Sequence, residues 1–120
     1  MPSELQTVFV QLRDVLRKYS ATLTVKTDEG SCYCLEGGLH PKHKTPIPIA
    51  WIQIGKNYVS YHLMPVYGCP KLLDDFSPEL RARMQGKACF NFRVVDDALF
   101  KEIDQLTHLG LKAFKKAGYL

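Results

Sequence analysis

The sequence lacks the features that mark membrane and secreted proteins. No window approaches the roughly 20 apolar residues that a transmembrane helix needs. The opening residues, MPSELQTVF, show no basic stretch followed by an apolar run, as a secretory signal would. We therefore expect a cytoplasmic protein that makes no contact with membranes. Because that compartment is reducing, we expect the four cysteines to be thiols rather than disulfides.

Sequence signatures of enzymes are also missing. The serines occur in no G-x-S-x-G context, and the chain has neither a P-loop nor a G-x-G-x-x-G sequence. It has no C-x-x-C pair either, the spacing that redox sites and zinc knuckles commonly use. These absences favour a protein that is not an enzyme and holds no cofactor.

What is present fits one globular domain. The 120 residues, 46% of them hydrophobic and 23% charged, can bury one sizeable core, so we expect a single domain over residues 1–120. The net charge of +4 permits an acidic partner, but the 16 basic residues are spread from Arg13 to Lys116. Nucleic-acid-binding proteins more often concentrate this charge on one face or in one run, so nucleic acid is not the expected partner.

A central β-hairpin is predicted for residues 49–63, IAWIQIGKNYVSYHL. Side chains alternate in character on both sides of a turn at residues 55–58, which is the period of a half-buried strand. A two-residue loop at Lys56 and Asn57, where Asn tolerates a positive φ, sets the register. The expected pairs are Ile54–Val59, Ile52–Tyr61 and Ala50–Leu63 toward the core, with Trp51–His62 and Gln53–Ser60 on the opposite face.

Two strands precede this hairpin, at residues 21–26 and 31–36. A three-residue loop with Gly30 in the left-handed conformation pairs Val25 with Tyr33 and Leu23 with Leu35, all facing the core. Cys32, Cys34 and Glu36 then face outward, whereas a two-residue loop would bury the cysteines. We favour the first arrangement because it buries the larger apolar side chains.

Helices and a fifth strand complete the prediction. Amphipathic helices are expected over residues 3–19, with Ser3 and Gln6 at capping-box spacing, and after Asp96 or Asp97 to Gly118. A short helix follows Ser77 and stops at Gly86, and the strand at residues 88–92 turns Phe90 and Phe92 inward and Cys89 and Asn91 outward. Residues 37–48 and 64–70, rich in proline and glycine, are predicted to be irregular.

The expected fold is α+β, a two-layer sandwich. Both terminal helices cover one face of an antiparallel sheet of about five strands, and the other face has no covering element. Trp51 and Tyr58 on that face are costly to leave exposed. We expect either a homodimer through the open face or a lid formed by residues 37–48, with Leu39 and Ile47 over Trp51.

From residue 49 onward the chain resembles the YdhG-like family of small bacterial proteins. The resemblance rests on the segments GKNYVSYHL, LRARMQGK, ACFNF and DDALFKEI. It implies a sandwich similar to frataxin and, for some relatives, an intracellular iron-chaperone role. That role would need an acidic ridge along the first helix and the next strand, and the first helix offers only Glu4 and Asp14. We therefore do not carry the iron role over.

The candidate ligand-binding residues lie on the open face of the predicted sheet. They are Trp51, His62, Gln53, Ser60 and Tyr58. His62 could act as a base or contact a ligand, but a histidine paired with tryptophan across strands is more often a packing contact.

Two further clusters are candidates for binding an ion. A zinc site could draw on Cys32, Cys34, His62 and Cys69, with His40 and His43, although the C-x-C spacing fits space-filling thiols better. An anion site could form from Arg81, Arg83 and Lys87 around the short helix and Gly86, against the simpler interpretation of a solvated surface.

The sequence thus predicts a non-enzymatic ligand-binding or protein-interaction module. The alternatives are a frataxin-like protein that handles iron or another metal, and a weakly nucleic-acid-associated protein. For the latter, basic and aromatic residues would have to converge on one face, and strand parity sends Tyr61 inward. The identity of the ligand is beyond the sequence.

Overall fold

The chain forms a five-stranded antiparallel sheet whose strands are neighbours in chain order, with helices before and after it. This computed structural model describes residues 4–39, 44 and 46–117. The predicted α+β fold is confirmed. The elements are α1 (Glu4–Arg17), β1 (Thr24–Asp28), β2 (Cys32–Leu39), β3 (Pro46–Ile54), β4 (Val59–Leu63), α2 (Met64–Gly68), α3 (Pro78–Arg81), β5 (Cys89–Phe92) and α4 (Asp97–Ala117), with short 3-10 turns at Ser20–Thr22 and Pro70–Leu73.

The central hairpin has the predicted register. Ile54 lies opposite Val59, and the pairing continues to Ala50 and Leu63. The Gly55 amide donates to the Tyr58 carbonyl at 2.8 Å to close the turn. Asn57 does not use a positive φ, which among the described non-glycine residues occurs at Lys44. Burial of one face therefore specifies the register without a special turn conformation.

Both long helices cover the inner face of the sheet. Helix α1 buries an apolar stripe, and α4 reaches the strands through a 2.7 Å hydrogen bond between the hydroxyls of Tyr61 and Thr107. Phe92 of β5 packs edge-on against Phe100 of α4, with ring centroids 5.1 Å apart. The core thus lies between one sheet face and the two terminal helices. Its largest fully buried side chains include Tyr33, Tyr61, Phe9, Phe90, Leu12, Leu35, Ile49, Ile52 and Leu63.

Two predicted helix N-caps are confirmed. Asp96 caps α4, since its Oδ1 accepts from the Leu99 amide at 3.1 Å. Ser77 caps α3 through its hydroxyl, which accepts from the Leu80 amide at 3.2 Å. The predicted cap Ser3 and the predicted stop Gly118 lie outside the described residues. Helix α1 ends at Arg17, two residues before the predicted end.

The predicted pairing of the first two strands is wrong. Val25 pairs with Leu35 and Asp28 with Tyr33, and the register shifts between Val25 and Thr27. Gly30 does not adopt the left-handed conformation. The bulge inserts one unpaired residue into the edge strand, and Val25 remains 44% exposed there. The favoured orientation of β2 is nevertheless confirmed, because Tyr33 and Leu35 are buried and Cys32 and Cys34, which alternate with them, face outward.

Two segments that were predicted to be irregular contain regular structure. Strand β2 continues to Leu39 and β3 begins at Pro46, so part of the 37–48 segment belongs to the sheet, with an irregular ladder around its prolines. Ile47 packs against the core, so it does not serve as a lid over Trp51. Residues 40–43 and 45 and the side chain of Leu39 lie outside the described part of the chain.

Residues 64–68 form helix α2 instead of an irregular crossing, and proline suits its first turn. The helix packs closely on α4 at Gly110. A Cβ atom at this position would lie 2.8 Å from the Cβ of Pro65, so only glycine permits this approach. A local pattern could not reveal that contact, because it depends on another helix.

The segment after α3 folds back along the edge of β5. Helix α3 ends at Arg81 rather than near Gly86, and Met84 forms an isolated bridge with Phe90. The backbone amide of Asn91 donates to the Arg83 carbonyl at 2.8 Å. The backbone amide of Gln85 donates to the Cys89 carbonyl at 2.9 Å. Gly86, with φ of 83°, turns the chain back into β5.

In the described part of the chain, no helix is both long and apolar enough to cross a membrane.

Candidate functional site

A row of four side chains crosses the outer face of the sheet. Strand pairing places Cys34 opposite Trp51, Trp51 opposite His62, and His62 opposite Cys89. The rings of Trp51 and His62 stack, with centroids 4.6 Å apart and planes 14° from parallel. The Cys89 Sγ lies 3.7 Å from the His62 Nε2. The expected tryptophan–histidine pair thus exists as an ordered stack, next to a thiol that the sequence did not single out as a site residue.

A second row, mostly polar, runs parallel to the first. Ser60 donates through its hydroxyl to the Asn91 Oδ1 at 3.1 Å, and the Asn91 Nδ2 donates to the Gln85 Oε1 at 2.7 Å. The Cys89 thiol also lies within reach of the Asn91 Oδ1, at 3.4 Å. These bonds orient both amide groups, so the Gln85 carbonyl points back toward the sheet and its Nε2 is left to donate outward.

Burial favours the neutral forms of both members of the thiol–imidazole pair. Burial lowers the pKa of His62 and therefore favours the uncharged ring. Burial raises the pKa of the Cys89 thiol, against a smaller lowering by its hydrogen bond to Ser60. Burial also raises the pKa of Cys34. A cysteine nucleophile is usually activated as a thiolate beside a charged histidine, and this pair shifts in the opposite direction.

Trp51 is less exposed than a flat open face would leave it. Its side chain is half-buried by the stacked His62 and the neighbouring strands. The large apolar side chains that are exposed among the described residues lie elsewhere. Trp51 also borders a small cavity of about 290 Å³ with Lys26, Cys32 and Cys34.

A basic groove opens where the central hairpin meets β5. It has a volume of about 470 Å³. Arg83 enters from the segment after α3, Arg93 from the end of β5, and Tyr58 from the hairpin turn. We call it the arginine groove, and its lining residues are Tyr58, Ala82, Arg83, Met84, Gln85, Asn91 and Arg93.

The three predicted anion-binding residues do not form one site. Of the three, only Arg83 lines the arginine groove. Arg81 lies outside it, and the Lys87 Nζ sits 5.8 Å from the ring centroid of Tyr67. The sequence did not identify Arg93 as an anion-binding candidate, because Arg93 joins Arg83 in one groove only when residues 83–85 fold back along β5. The one available signal was its position directly after a predicted strand.

The predicted ligand-binding residues form two adjoining surfaces. Trp51, His62, Gln53 and Ser60 lie on the outer face of the sheet, whereas Tyr58 lies in the arginine groove. Ser60 connects the two surfaces through its hydrogen bond to Asn91.

The candidate zinc ligands do not converge in the described part of the chain. No group of three or more His, Cys, Asp or Glu side chains there could hold a metal ion. Cys32 and Cys34 share the outer face with His62, and Cys69 follows α2 in a separate region. All four cysteines are free thiols. His40 and His43 lie outside the described residues.

A second large cavity, of about 460 Å³, lies on the helical side. Asp104, which lines it, accepts from the Tyr19 hydroxyl at 2.6 Å and forms an ion pair with Lys18. Burial raises the pKa of Asp104, but the bonds from Lys18 and Tyr19 outweigh it, and the net pKa is lowered. These contacts join the end of α1 to α4, so we interpret them as structural.

No model of a known protein family matches the chain, and neither does any curated protein or solved structure. The resemblance to YdhG-like proteins therefore stays a prediction.

Proposed function

We propose that this protein is a non-enzymatic ligand-binding module whose arginine groove binds a small anion. The observation that carries the proposal is the convergence of Arg83 and Arg93 on one groove with no carboxylate among its lining residues. In the described part of the chain, the ion pairs involve other basic residues, Arg17, Lys18 and Lys26. Two guanidinium groups without an acidic neighbour favour an anion from solution.

The other polar groups of the groove add donors. The Asn91 Nδ2 is bonded to the Gln85 Oε1, so Gln85 presents its own NH₂ group. The Tyr58 hydroxyl can donate as well. A site in which donors outnumber acceptors favours oxyanions over cations and over neutral ligands.

The framework around the groove supports binding without large rearrangement. The carbonyl of Arg83 accepts from the backbone amide of Asn91 in β5, and Arg93 directly follows Phe92, the last residue of that strand. Tyr58 is placed by the closed hairpin turn. Backbone that is hydrogen-bonded to a strand or directly adjoins one loses less conformational freedom when a ligand binds than the backbone of an open loop.

The thiol–imidazole pair beside the groove does not suit nucleophilic catalysis. The nearest candidate pair, Cys89 and His62, favours the neutral state of both groups and faces the outer surface of the sheet. The metal-handling alternative has less support, since the described residues contain no group of three or more His, Cys, Asp or Glu side chains that could hold a metal ion. The nucleic-acid alternative would need more phosphate contacts than the two arginines of the groove supply.

A titration with small anions at constant ionic strength tests the proposal. We expect acetate, sulfate or phosphate to shift the backbone amide signals of Arg83, Gln85 and Arg93 in ¹H–¹⁵N spectra. Arg83→Ala should weaken binding by about tenfold or more, because a charged hydrogen bond contributes roughly 1.5–3 kcal/mol. Arg81→Ala is the matched control, because Arg81 lies two residues away and outside the groove.

The proposal fails if none of these anions shifts the groove signals. It also fails if Arg81→Ala weakens binding as much as Arg83→Ala, since the effect would then reflect overall charge.

A further inference from the structure

We infer that the ligand of the arginine groove is a small phosphate monoester in its dianionic form. This inference rests on the proposed anion site and specifies its ligand class. It follows from three properties of the groove, namely its charge, the arrangement of its donors and the apolar part of its wall.

The charge of the groove suits a dianion. Arg83 and Arg93 bring two positive charges, and no lining residue is acidic. A carboxylate or a sulfate ester carries one negative charge and would leave one guanidinium uncompensated. A phosphate monoester carries close to two negative charges at neutral pH, because its second pKa lies at about 6.

The donors suit a tetrahedral group. Each guanidinium offers a planar fork that can bind two oxygen atoms. A planar carboxylate has two oxygens and is matched by one fork alone. A phosphate monoester has three terminal oxygens, which can be shared between forks that enter from two sides, with the Gln85 amide and the Tyr58 hydroxyl as further donors.

The remaining wall suits an organic substituent. Tyr58, Ala82 and Met84 line the same groove as the arginines, and its volume of about 470 Å³ is larger than a phosphate group needs. The backbone of Met84 is positioned by its bridge to Phe90. An ester whose organic part lies on Tyr58 and Met84 uses this apolar surface, which inorganic phosphate would leave in water.

Three probes, each of which carries a phenyl group, separate the effect of charge from that of the shape of the anionic group. Phenyl phosphate is a tetrahedral dianion, phenyl sulfate a tetrahedral monoanion and benzoate a planar monoanion. Calorimetry at about pH 7.5 should show that phenyl phosphate binds about tenfold or more tighter than either other probe, as an additional charged contact implies. Inorganic phosphate should bind more weakly than phenyl phosphate, and Tyr58→Ala should reduce this difference.

The dependence on pH tests the dianion directly. Between about pH 7.5 and about pH 5, the affinity for phenyl phosphate should fall as the ester gains a proton, whereas that for phenyl sulfate should stay level. Arginine side chains stay charged over this range. His62, on the adjoining row, is removed as a source of the effect by repeating the titration in His62→Gln. Arg93→Lys keeps the charge but loses the fork, and should weaken binding of phenyl phosphate by about tenfold.

The outcomes distinguish this inference from the proposed function. Equal binding of the three phenyl probes overturns the phosphate inference and leaves a general anion site. Inorganic phosphate that binds as tightly as phenyl phosphate overturns the monoester. Failure of all four probes, together with no response to acetate or sulfate, overturns the proposed function as well.

Discussion

The two faces of the sheet use the same strands in opposite ways. On the inner face Ile52 is fully buried beneath the helices, whereas the next residue, Gln53, faces outward and is exposed. The inner pair Ile52–Tyr61 belongs to the apolar core, and the outer pair Trp51–His62 is an aromatic stack beside thiols and amides. Alternation along one strand therefore separates the residues that stabilise the fold from those that are available for binding.

The contrast extends to the end of the hairpin. The helices cover the inner face of the sheet. The outer face adjoins the arginine groove, and the hydrogen bond between Ser60 and Asn91 connects the two surfaces. Polar side chains there are tied to one another rather than to the core. We therefore expect substitutions on the outer side to change binding more than stability. Four predictions test this contrast, from the largest expected effect to the smallest.

The largest effect is expected at adjacent residues of β3 that face opposite sides. Ile52→Ala should lower the free energy of unfolding by about 2–5 kcal/mol, because it leaves a cavity in the core. Gln53→Ala should change it by less than about 0.5 kcal/mol. Urea denaturation of both variants measures the difference. Similar losses in the two variants would mean that the outer face is also part of the stable core.

The next prediction concerns the cover of the outer face. We propose that a second copy of the chain packs over Trp51, since burying the exposed minority of its side chain yields about 1–2 kcal/mol at about 25 cal/mol per Å². Light scattering should show a dimer that Trp51→Glu converts into a folded monomer. Gln11→Glu adds a negative charge at an exposed position of α1, on the other side of the sheet, and serves as the control. A monomer at high micromolar concentration of the unaltered protein would end the proposal.

A smaller effect is expected from the contacts of Asp104 with Lys18 and Tyr19, which connect the end of α1 to α4. Asp104→Asn should cost about 1–2 kcal/mol, because it weakens the bonds from Lys18 and Tyr19. The folded-state pKa of Asp104 is below its ordinary value, so this stabilisation is present above the unfolded pKa and is lost as the pH falls through the folded one.

Denaturation at neutral and acidic pH measures this loss, and the variant should be less sensitive to acid than the unaltered protein. Asp75→Asn, in the same cavity but outside the ion pairs seen among the described residues, is the control. Equal acid sensitivity of Asp104→Asn and the unaltered protein would contradict the assignment.

The smallest effect is expected from His62. Burial places its folded-state pKa below the ordinary value of 6.5, so the unfolded chain binds the proton more readily. Stability should therefore decrease as the pH falls from about 6.5 toward the folded pKa. His62→Gln should flatten this slope, as measured by chemical denaturation at several pH values. An unchanged slope in His62→Gln would show that the stacked ring titrates normally.

Much of the outer face could be predicted because the determining pattern is local. The period of two places Trp51, Gln53, Ser60 and His62 on one side as soon as the other side is buried, and a one-residue slip would expose Ile52. The Ser77 cap is local in the same sense, since the hydroxyl bonds an amide three residues away. Such features need no knowledge of distant parts of the chain.

The arginine groove was decided by the tertiary structure alone. Arg83 and Arg93 are ten positions apart, and they share a groove because the chain reverses at Gly86 and residues 83–85 align with β5. The bulge in β1 and the contact of Gly110 with Pro65 likewise depend on neighbours that are remote in sequence. By itself the sequence determined which side of β2 and of the central hairpin is apolar, because alternation is a property of the backbone, but it did not do so for β1, where the bulge leaves Val25 exposed. Chain reversals and packing decided which charged side chains lie close together. The free energies of these features depend on many residues, so no short segment of the sequence predicts them.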